Sequence, residues 1–279
     1  LDIFEVKSSA ANAQGKAALA FCDIFDKIFP SFGPVQRSHL LSSINECYSR
    51  SDRSHGKITL TQVFNAYKNR VPRPDGVWNI FEEFTLNRVF SENTEELISF
   101  EELVDGKVVV VNVEGCADDD DTKAAVTTIF LNLMNSHMKA GQATAKYSKD
   151  GEGRELRFVL LIDEADRVMR YKFENLRNIL KEGREFGVSV ILSTQSIGDF
   201  TKADYGYEEQ VLTWMIHQVP EFKQAFTQAI GLPDLTSQDK EKVLALEQDD
   251  ALYKAADSKT ATFLRGKKFY ERNDWETLE

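Results

Sequence analysis

Cysteine is scarce in this chain, and its three copies are far apart. Cys22, Cys47 and Cys116 form no CxxC pair, and no two of the four histidines stand at metal-ligand spacing. Because a structural zinc site needs such pairs, the pattern argues against one. Unpaired cysteines are typical of a reducing compartment, which predicts a cytoplasmic protein with three small buried thiols.

Long apolar runs are missing as well. Runs such as FVLLI at 158–162 are far shorter than the roughly 20 residues that a membrane-spanning helix requires. No basic stretch followed by an apolar stretch opens the sequence, which argues against secretion. We therefore expect no membrane partner. The chain begins at Leu1 instead of Met, with an amphipathic pattern close behind, so we expect a fragment of a longer polypeptide.

Positive charge is also in short supply, since the formal net charge is −11 and the pI is about 5.0. A domain that grips nucleic acid with its whole surface would be basic. Contact with nucleic acid therefore requires a local basic loop, a pore in an assembly, or another region. Two places supply such residues: Lys139, Lys146 and Lys149 in the polar loop 139–156, and Arg265, Lys267 and Lys268 beside Phe269 and Tyr270. The second group is equally typical of a solvated strand end.

The first hundred residues are predicted to be mostly helical. Apolar residues recur at three- and four-residue spacing, and breakers such as Gly33-Pro34 separate the periodic segments. The predicted helices cover residues 17–29, 35–48, 59–69 and 77–90, with a cap at Thr59 or Thr61.

The pattern changes at Lys107 to one that is typical of a parallel sheet. VVVVNV at 108–113 is a continuous β-branched run, as in strands that are buried on both faces. From there the predicted order is strand 108–113, helix 122–138, strand 157–162, helix 172–186 and strand 188–194. This alternation predicts right-handed crossovers. After Gly198 the expected elements are a strand at 211–219, helices at 221–230 and 237–246, and a closing pair of strands at 251–255 and 260–265.

Two adjacent carboxylates follow the buried run FVLLI. Asp163 and Glu164 stand where ligands bind in parallel sheets, just beyond the carboxyl end of a strand. One carboxylate can hold hydrated Mg²⁺ while the other orients and deprotonates a water for attack on a phosphoryl group. The alternative is that these acids only cap the next helix, since Asp is a good N-cap.

Polar residues follow the next strand too. Thr194, Gln195 and Ser196 come after VSVIL, and a Gln amide there can donate to a γ-phosphate and accept from the attacking water. Between the two strands, Arg184 stands where a helix is broken by Gly183 and Gly187. An Arg at a subunit boundary can stabilise phosphoryl charge in trans. The alternatives are an ordinary polar turn for the first group and a favourable helix C-terminus for Arg184.

These residues carry a resemblance to a known family. RFVLLIDEADRV at 157–168 and LRNILKEGREFGVSVILSTQS at 176–196 resemble the second half of the HerA/FtsK class of ATPases, the DNA-pumping and conjugative motors. FCDIFDKIFPSFGPVQRSHLLSSINECY at 21–48 is similar to the helical insert of that class. Within the class, the match is most like the motor-like subunit of DNA phosphorothioation-dependent restriction systems.

The resemblance implies a fold, cofactors and partners. The implied fold class is α/β, a RecA-like parallel sheet flanked by helices with a mostly helical N-terminal part. Residues 1–106 would be the helical insert and 107–279 half of the ATPase core. ATP and Mg would be the cofactors, with Asp163 and Glu164 as the Walker B pair, Thr194 and Gln195 as the sensor, and Arg184 as the arginine finger. DNA, a homo-oligomeric and possibly hexameric ring, and other restriction subunits would be the partners.

A phosphate-binding loop is the missing part of this pattern. The segment from Ala10 to Ala17 comes nearest to GxxxxGK[ST], but its first Gly is replaced by Ala10 and its hydroxyl residue by Ala17. No buried strand precedes it. We expect the true P-loop to lie upstream of Leu1, and the chain alone to be inert.

Two other functions fit parts of the sequence. The absent P-loop favours a non-catalytic assembly module. A metal-dependent nuclease could use Asp163 and Glu164 together with Glu114 or Asp166, although no Lys or His stands near these acids. The acidic run 118–121 could bind a cation, and it is also typical of a solvated cap cluster at a helix start.

Overall fold

The computed structural model describes residues 1–6, 11–51, 56–116, 120–140, 145–147, 154–202 and 206–266. The chain divides into two compact units. Unit 1 contains residues 1–160 and 173–190, and unit 2 contains residues 161–172 and 191–279.

Unit 1 is built mostly of helices. They are α1 Ala13–Ile28, α2 Pro34–Arg50, α3 Leu60–Lys68, α4 Gly76–Leu86, α5 Phe100–Val104, α6 Asp120–Ala140 and α8 Glu174–Glu182, with 3₁₀ turns at Thr94–Glu96 and Gly183–Phe186. The helices of unit 2 are shorter: α7 Asp166–Met169, α9 Gly198–Lys202, α10 Gln224–Ala229 and α11 Ser237–Leu244, with a 3₁₀ turn at Glu208–Gln210.

Aromatic side chains form the centre of the helical part of unit 1. Phe81 of α4 is fully buried and lies 5.4 Å from Phe25 of α1 and 5.8 Å from Phe64 of α3, measured between ring centroids. Both contacts have an edge-to-face geometry, which adds to the stabilisation from burial alone. One ring of α4 thus holds α1 and α3 together.

Side-chain caps explain where two of these helices begin. Thr59 accepts a hydrogen bond from the backbone N–H of Gln62 at 3.2 Å, and the Gln62 side chain accepts one from the N–H of Thr59 at 2.9 Å. This reciprocal pair satisfies two backbone donors at the start of α3. Asp75 caps α4 through the N–H of Trp78 and also accepts a hydrogen bond from the hydroxyl of Tyr67.

The strands form two small sheets. The first pairs β1 Phe158–Ile162 with β2 Val188–Leu192. The N–H of Phe158 donates to the carbonyl of Gly187 at the start of the pair, and the N–H of Ser193 donates to the carbonyl of Ile162 at its end. Because start pairs with start and end with end, the two strands are parallel. Both strands pass from unit 1 into unit 2. The second sheet is antiparallel and lies in unit 2, in the order β3 Trp214–Ile216, β4 Asp250–Lys254 and β5 Thr262–Arg265.

Most predicted elements are confirmed, and their ends differ by a few residues. The four N-terminal helices, the cap at Thr59, α6, the strands on either side of α8 and the closing antiparallel pair are all present. The mixed helix and strand class with a small parallel sheet is therefore confirmed. The division into domains at residue 107 and the RecA-like topology stay predictions.

The predicted strand at 108–113 is wrong. This segment has no strand partner among the described residues, and Val108 and Val110 are 96% and 84% exposed. β-branched residues favour an extended backbone, but a strand also needs a neighbour to accept and donate its hydrogen bonds. The sequence pattern indicates the extended backbone and not the presence of a neighbouring strand.

No helix in the described ranges is long and apolar enough to cross a membrane.

The carboxyl group of Asp2 makes the stability of unit 1 depend on pH. Burial raises the pKa of Asp2 to about 6, although the N–H of Phe4, which donates to its side chain, and Lys57 act in the opposite direction. The folded state therefore holds a proton that the unfolded state releases near pH 4, so the free energy of unfolding falls as the pH rises from about 4 to about 6. We predict that Asp2→Asn, which keeps an acceptor for Phe4, gains about 2–3 kcal/mol relative to the wild type between pH 4 and pH 7.

Denaturant unfolding at a series of pH values measures this difference. Asp105→Asn, at an exposed position just after α5, serves as the control and should give a difference from the wild type that stays nearly constant. A pH-independent difference for Asp2→Asn would contradict the assignment.

Candidate functional site

The acidic pair lies on a tight turn at the carboxyl end of β1. Asp163 is exposed and Glu164 is half-buried. The side chain of Asp163 accepts a hydrogen bond from the backbone N–H of Glu164 at 3.0 Å, and Glu164 has a left-handed backbone with φ of 48°. Non-glycine residues adopt this conformation rarely, and where they do, the surrounding structure holds them there.

Ser193 holds this turn against the end of β2. Its N–H donates to the carbonyl of Ile162 at 2.9 Å, and its carbonyl accepts from the N–H of Ala165 at 2.8 Å. One residue therefore binds both sides of the Asp163-Glu164 turn. Because of these two bonds, the acids of β1 and the polar residues that follow β2 meet at one edge within unit 2.

The turn does not act as a helix cap. The next helix, α7, begins at Asp166, its N-cap is Ala165, and no side chain caps it. The geometry therefore does not support the alternative that Asp163 or Glu164 caps the next helix. A cap explains neither the exposure of Asp163 nor the strained backbone of Glu164.

Glu164 has a neighbouring basic partner. Its carboxylate lies 2.9 Å from the guanidinium of Arg167, one turn along the chain. The two side chains are 43% and 46% exposed, so solvent screens the pair and the contact adds little to stability. The sequence reasoning missed Arg167, although its spacing of three residues from Glu164 was a signal for it.

The polar residues after β2 have two different environments. The Thr194 hydroxyl donates to the carbonyl of Ser196 at 2.9 Å, and the Ser196 hydroxyl accepts from the N–H of Gly198 at 3.1 Å. These two residues shape the turn, as the ordinary-turn alternative expected. Gln195 between them is exposed, and no hydrogen bond fixes it to that turn. It is available for a ligand at the same edge as Asp163.

Arg184 precedes β2 in the chain. It stands exposed in the 3₁₀ turn Gly183–Phe186, which precedes β2, whereas Gln195 follows β2. Arg184 belongs to unit 1 and the acidic pair to unit 2. Its place just beyond the C-terminal end of α8 also agrees with the favourable helix-end alternative.

The remaining sequence candidates have ordinary surroundings. Lys139 lies 3.5 Å from Glu182, Glu114 lies 3.5 Å from Lys123, and Lys146 is exposed. Arg265 pairs with Glu247 at 2.6 Å. The candidates Asp118, Asp119, Lys149, Lys267, Lys268, Phe269 and Tyr270 lie outside the described residues.

A nuclease site gains no support from the arrangement. Within the described ranges, no three His, Cys, Asp or Glu side chains are grouped so that they could hold a metal ion. Asp163 and Glu164 therefore lack the third acid that the nuclease alternative required from Glu114 or Asp166. Of the candidate residues, the exposed carboxylate of Asp163 is a hard oxygen donor of the kind that could hold a hydrated Mg²⁺ through water.

The segment nearest to a P-loop leads into a helix in this structure. Helix α1 begins at Ala13, so Gly15 and Lys16 already lie inside its first turn. No strand precedes it in residues 1–6 or 11–12. Ala10 lies outside the described residues. Within the described ranges, neither a strand before α1 nor a hydroxyl residue at position 17 completes the P-loop pattern.

Replacing Glu164 should leave the fold intact. We predict that Glu164→Gln changes the free energy of unfolding by less than about 1 kcal/mol, because only a screened ion pair is lost. Ile162→Ala, two residues earlier and 8% exposed, should cost about 2–5 kcal/mol through the cavity it leaves. Chemical denaturation of both variants tests this, and a large loss for Glu164→Gln would mean that the glutamate is structural.

Comparison with known proteins adds a fold. No family model matches the sequence, and no curated protein is similar to it. Seventeen chains of known structure match. One is the structure of VirB4 of Thermoanaerobacter pseudethanolicus, with a TM-score of 0.62 and 12% identity over 96% of this chain and 73% of that chain. The chain therefore shares the fold of that VirB4 structure over most of its length.

Proposed function

We propose that this chain is the hydrolytic part of a motor ATPase with a RecA-like core, and that it works within a longer protein. The observation that carries this proposal is the turn Asp163-Glu164, which Ser193 fastens beside Thr194 and Gln195 at the carboxyl end of a parallel strand pair. Parallel sheets bind their ligands at that edge. The VirB4-like fold supports the same class of protein.

Each acid has a distinct task in this proposal. Asp163, the more exposed of the two, holds hydrated Mg²⁺ through water, and the cation would neutralise charge on the phosphates of ATP. Glu164 orients the attacking water and accepts its proton. The contact of Glu164 with Arg167 is screened by solvent, so the carboxylate can exchange that partner for a water.

Gln195 reports the state of the nucleotide. Its exposed amide can donate to the terminal phosphate and accept from the attacking water, and both contacts change when the phosphate leaves. Thr194 keeps the turn in place through its bond to Ser196, and its hydroxyl oxygen still has lone pairs for a water or a phosphate-bound cation.

Arg184 acts on the site of a neighbouring subunit. It precedes β2, while the acidic edge lies at the other end of that strand. In a head-to-tail interface, Arg184 of one subunit would face the acidic pair of the next subunit. Such an interface forms a closed ring when the rotation between subunits returns to the start. Arg184 would then supply positive charge in trans to the developing phosphoryl group.

The proposed roles in DNA movement and restriction rest on the sequence resemblance. The HerA/FtsK-like segments at 157–168 and 176–196 are most similar to the motor-like subunit DptH (DndH), which points to DNA movement in phosphorothioation-dependent restriction. We propose a cytoplasmic hexameric ring with other restriction subunits as partners. The net charge of −11 places any DNA contact in a local basic region instead of the whole surface.

A non-catalytic assembly module is the second candidate. The sequence of the segment nearest to a P-loop favours it, because Ala10 replaces the first Gly and Ala17 replaces the hydroxyl residue. This candidate differs from the first only in whether a complete nucleotide site forms in the whole protein.

Glu164→Gln in the whole protein separates these functions. If Glu164 is the general base, we predict that the ATP hydrolysis rate falls by about 10²–10⁴-fold while ATP binding is kept. Arg167→Gln removes the partner of Glu164 and serves as the control, with hydrolysis within a few-fold of the wild type. Hydrolysis at the wild-type rate by Glu164→Gln would remove the role assigned to this residue.

A further inference from the structure

The turn that carries Arg184 is fastened by the loop between α6 and β1. The N–H of Ala145 donates to the carbonyl of Glu185 at 2.7 Å, and the N–H groups of Arg157 and Phe158 donate to the carbonyl of Gly187 at 2.8 and 3.2 Å. Residues from both ends of the loop therefore bind the 3₁₀ turn and the glycine that follows it. All of these residues belong to unit 1.

The base of this loop is itself a paired structure. Tyr147 and Arg154 form an antiparallel bridge, and the N–H of Glu155 donates to the carbonyl of Lys146 at 2.8 Å. The guanidinium of Arg154 donates to the carbonyl of Ala145 at 2.9 Å and lies over the ring of Tyr147 at 4.7 Å. Arg154 therefore closes the loop base at the residue that contacts the Arg184 turn.

Gly187 makes the close approach possible. It has a left-handed backbone with φ of 75°, and a Cβ there would overlap the carbonyl oxygen of Glu155 and lie 3.0 Å from the Cβ of Ala145. Any side chain at this position would push the loop base away from the turn. Gly106 also has a left-handed backbone, with φ of 61°, but a Cβ there would meet no atom within 4 Å.

Helix α6 holds the other end of the same segment. Asn175 of α8 accepts from the side chain of Asn135 at 3.2 Å and donates to that of Asn132 at 3.1 Å. At the end of α8, Glu182 lies 3.5 Å from Lys139. The helix before Arg184 and the turn around it are thus fixed to the two elements, α6 and the loop base, that precede β1.

We propose that the loop base around Ala145, Arg154 and Gly187 positions Arg184 and regulates through it the nucleotide site of the neighbouring subunit. A force or ligand that shifts residues 145–147 and 154–157 would move Arg184 through the bond between Ala145 and Glu185. Gly187 and Arg154 are positioning residues, because they would act on the reaction only through Arg184. The inference rests on the proposed trans role of Arg184.

Gly187→Ala in the whole protein tests this directly. Displacement of a catalytic group by about 1 Å can lower a rate by about 100-fold, so we expect kcat for ATP hydrolysis to fall by about 10–100-fold with KM nearly unchanged. Gly106→Ala introduces the same kind of backbone strain without the overlap and should keep the wild-type rate within a few-fold. Arg154→Ala should lower kcat in the same direction by a smaller factor, and Arg154→Lys should restore part of it.

Mixed assemblies distinguish positioning from loss of fold. A Gly187→Ala subunit retains its own Asp163 and Glu164, so its site can be served by Arg184 of a Glu164→Gln neighbour. In an equal mixture of these two variants, up to about one quarter of the interfaces are complete in a head-to-tail ring. We expect activity to reappear in this mixture, and none to reappear when Gly187→Ala is mixed with Arg184→Ala.

Each outcome has one meaning. Recovery with Arg184→Ala instead of Glu164→Gln, or equal damage from Gly106→Ala, would overturn the inference. If Glu164→Gln and Arg184→Ala fail to complement each other, the trans role in the proposed function is wrong. If those two complement each other and Gly187→Ala complements neither, only the positioning role is wrong.

Discussion

The candidate site depends on two backbone hydrogen bonds of Ser193. They tie the carbonyl of Ile162 and the N–H of Ala165 to one residue after β2, and so they fix where the chain turns at Asp163-Glu164. The turn can return to Ser193 only because Glu164 takes a left-handed backbone. Such strain persists where the surrounding structure holds it, and it is common at sites that bind or react. The acids are therefore placed by the backbone and not by side-chain packing.

The sequence predicted the elements whose signals are local. Apolar spacing and capping residues identify α1–α4, and the box of Thr59 with Gln62 forms as its pattern indicates. The run FVLLI predicted both β1 and the position of Asp163 at its carboxyl end. These predictions succeed because the deciding interactions lie within a few residues of each other.

The errors fall where distant parts of the chain decide the outcome. VVVVNV at 108–113 has strand propensity but no strand neighbour in the described ranges, and three of its five valines are exposed. The contact of Ala145 with Glu185, the left-handed φ of Glu164 and the overlap that forbids a side chain at Gly187 leave no pattern in the sequence. A single glycine in a loop reads the same whether it faces open space or a neighbouring carbonyl.

In the proposed function, this chain supplies one part of a nucleotide site, and the phosphate-binding loop lies elsewhere. Isothermal titration of ATP–Mg²⁺ tests that claim most directly, with the chain of residues 1–279 compared with a longer protein that also carries the residues before Leu1. We predict micromolar, stoichiometric binding of ATP–Mg²⁺ by the longer protein and no micromolar binding by residues 1–279. Micromolar binding by residues 1–279 alone, or none by the longer protein, would contradict it.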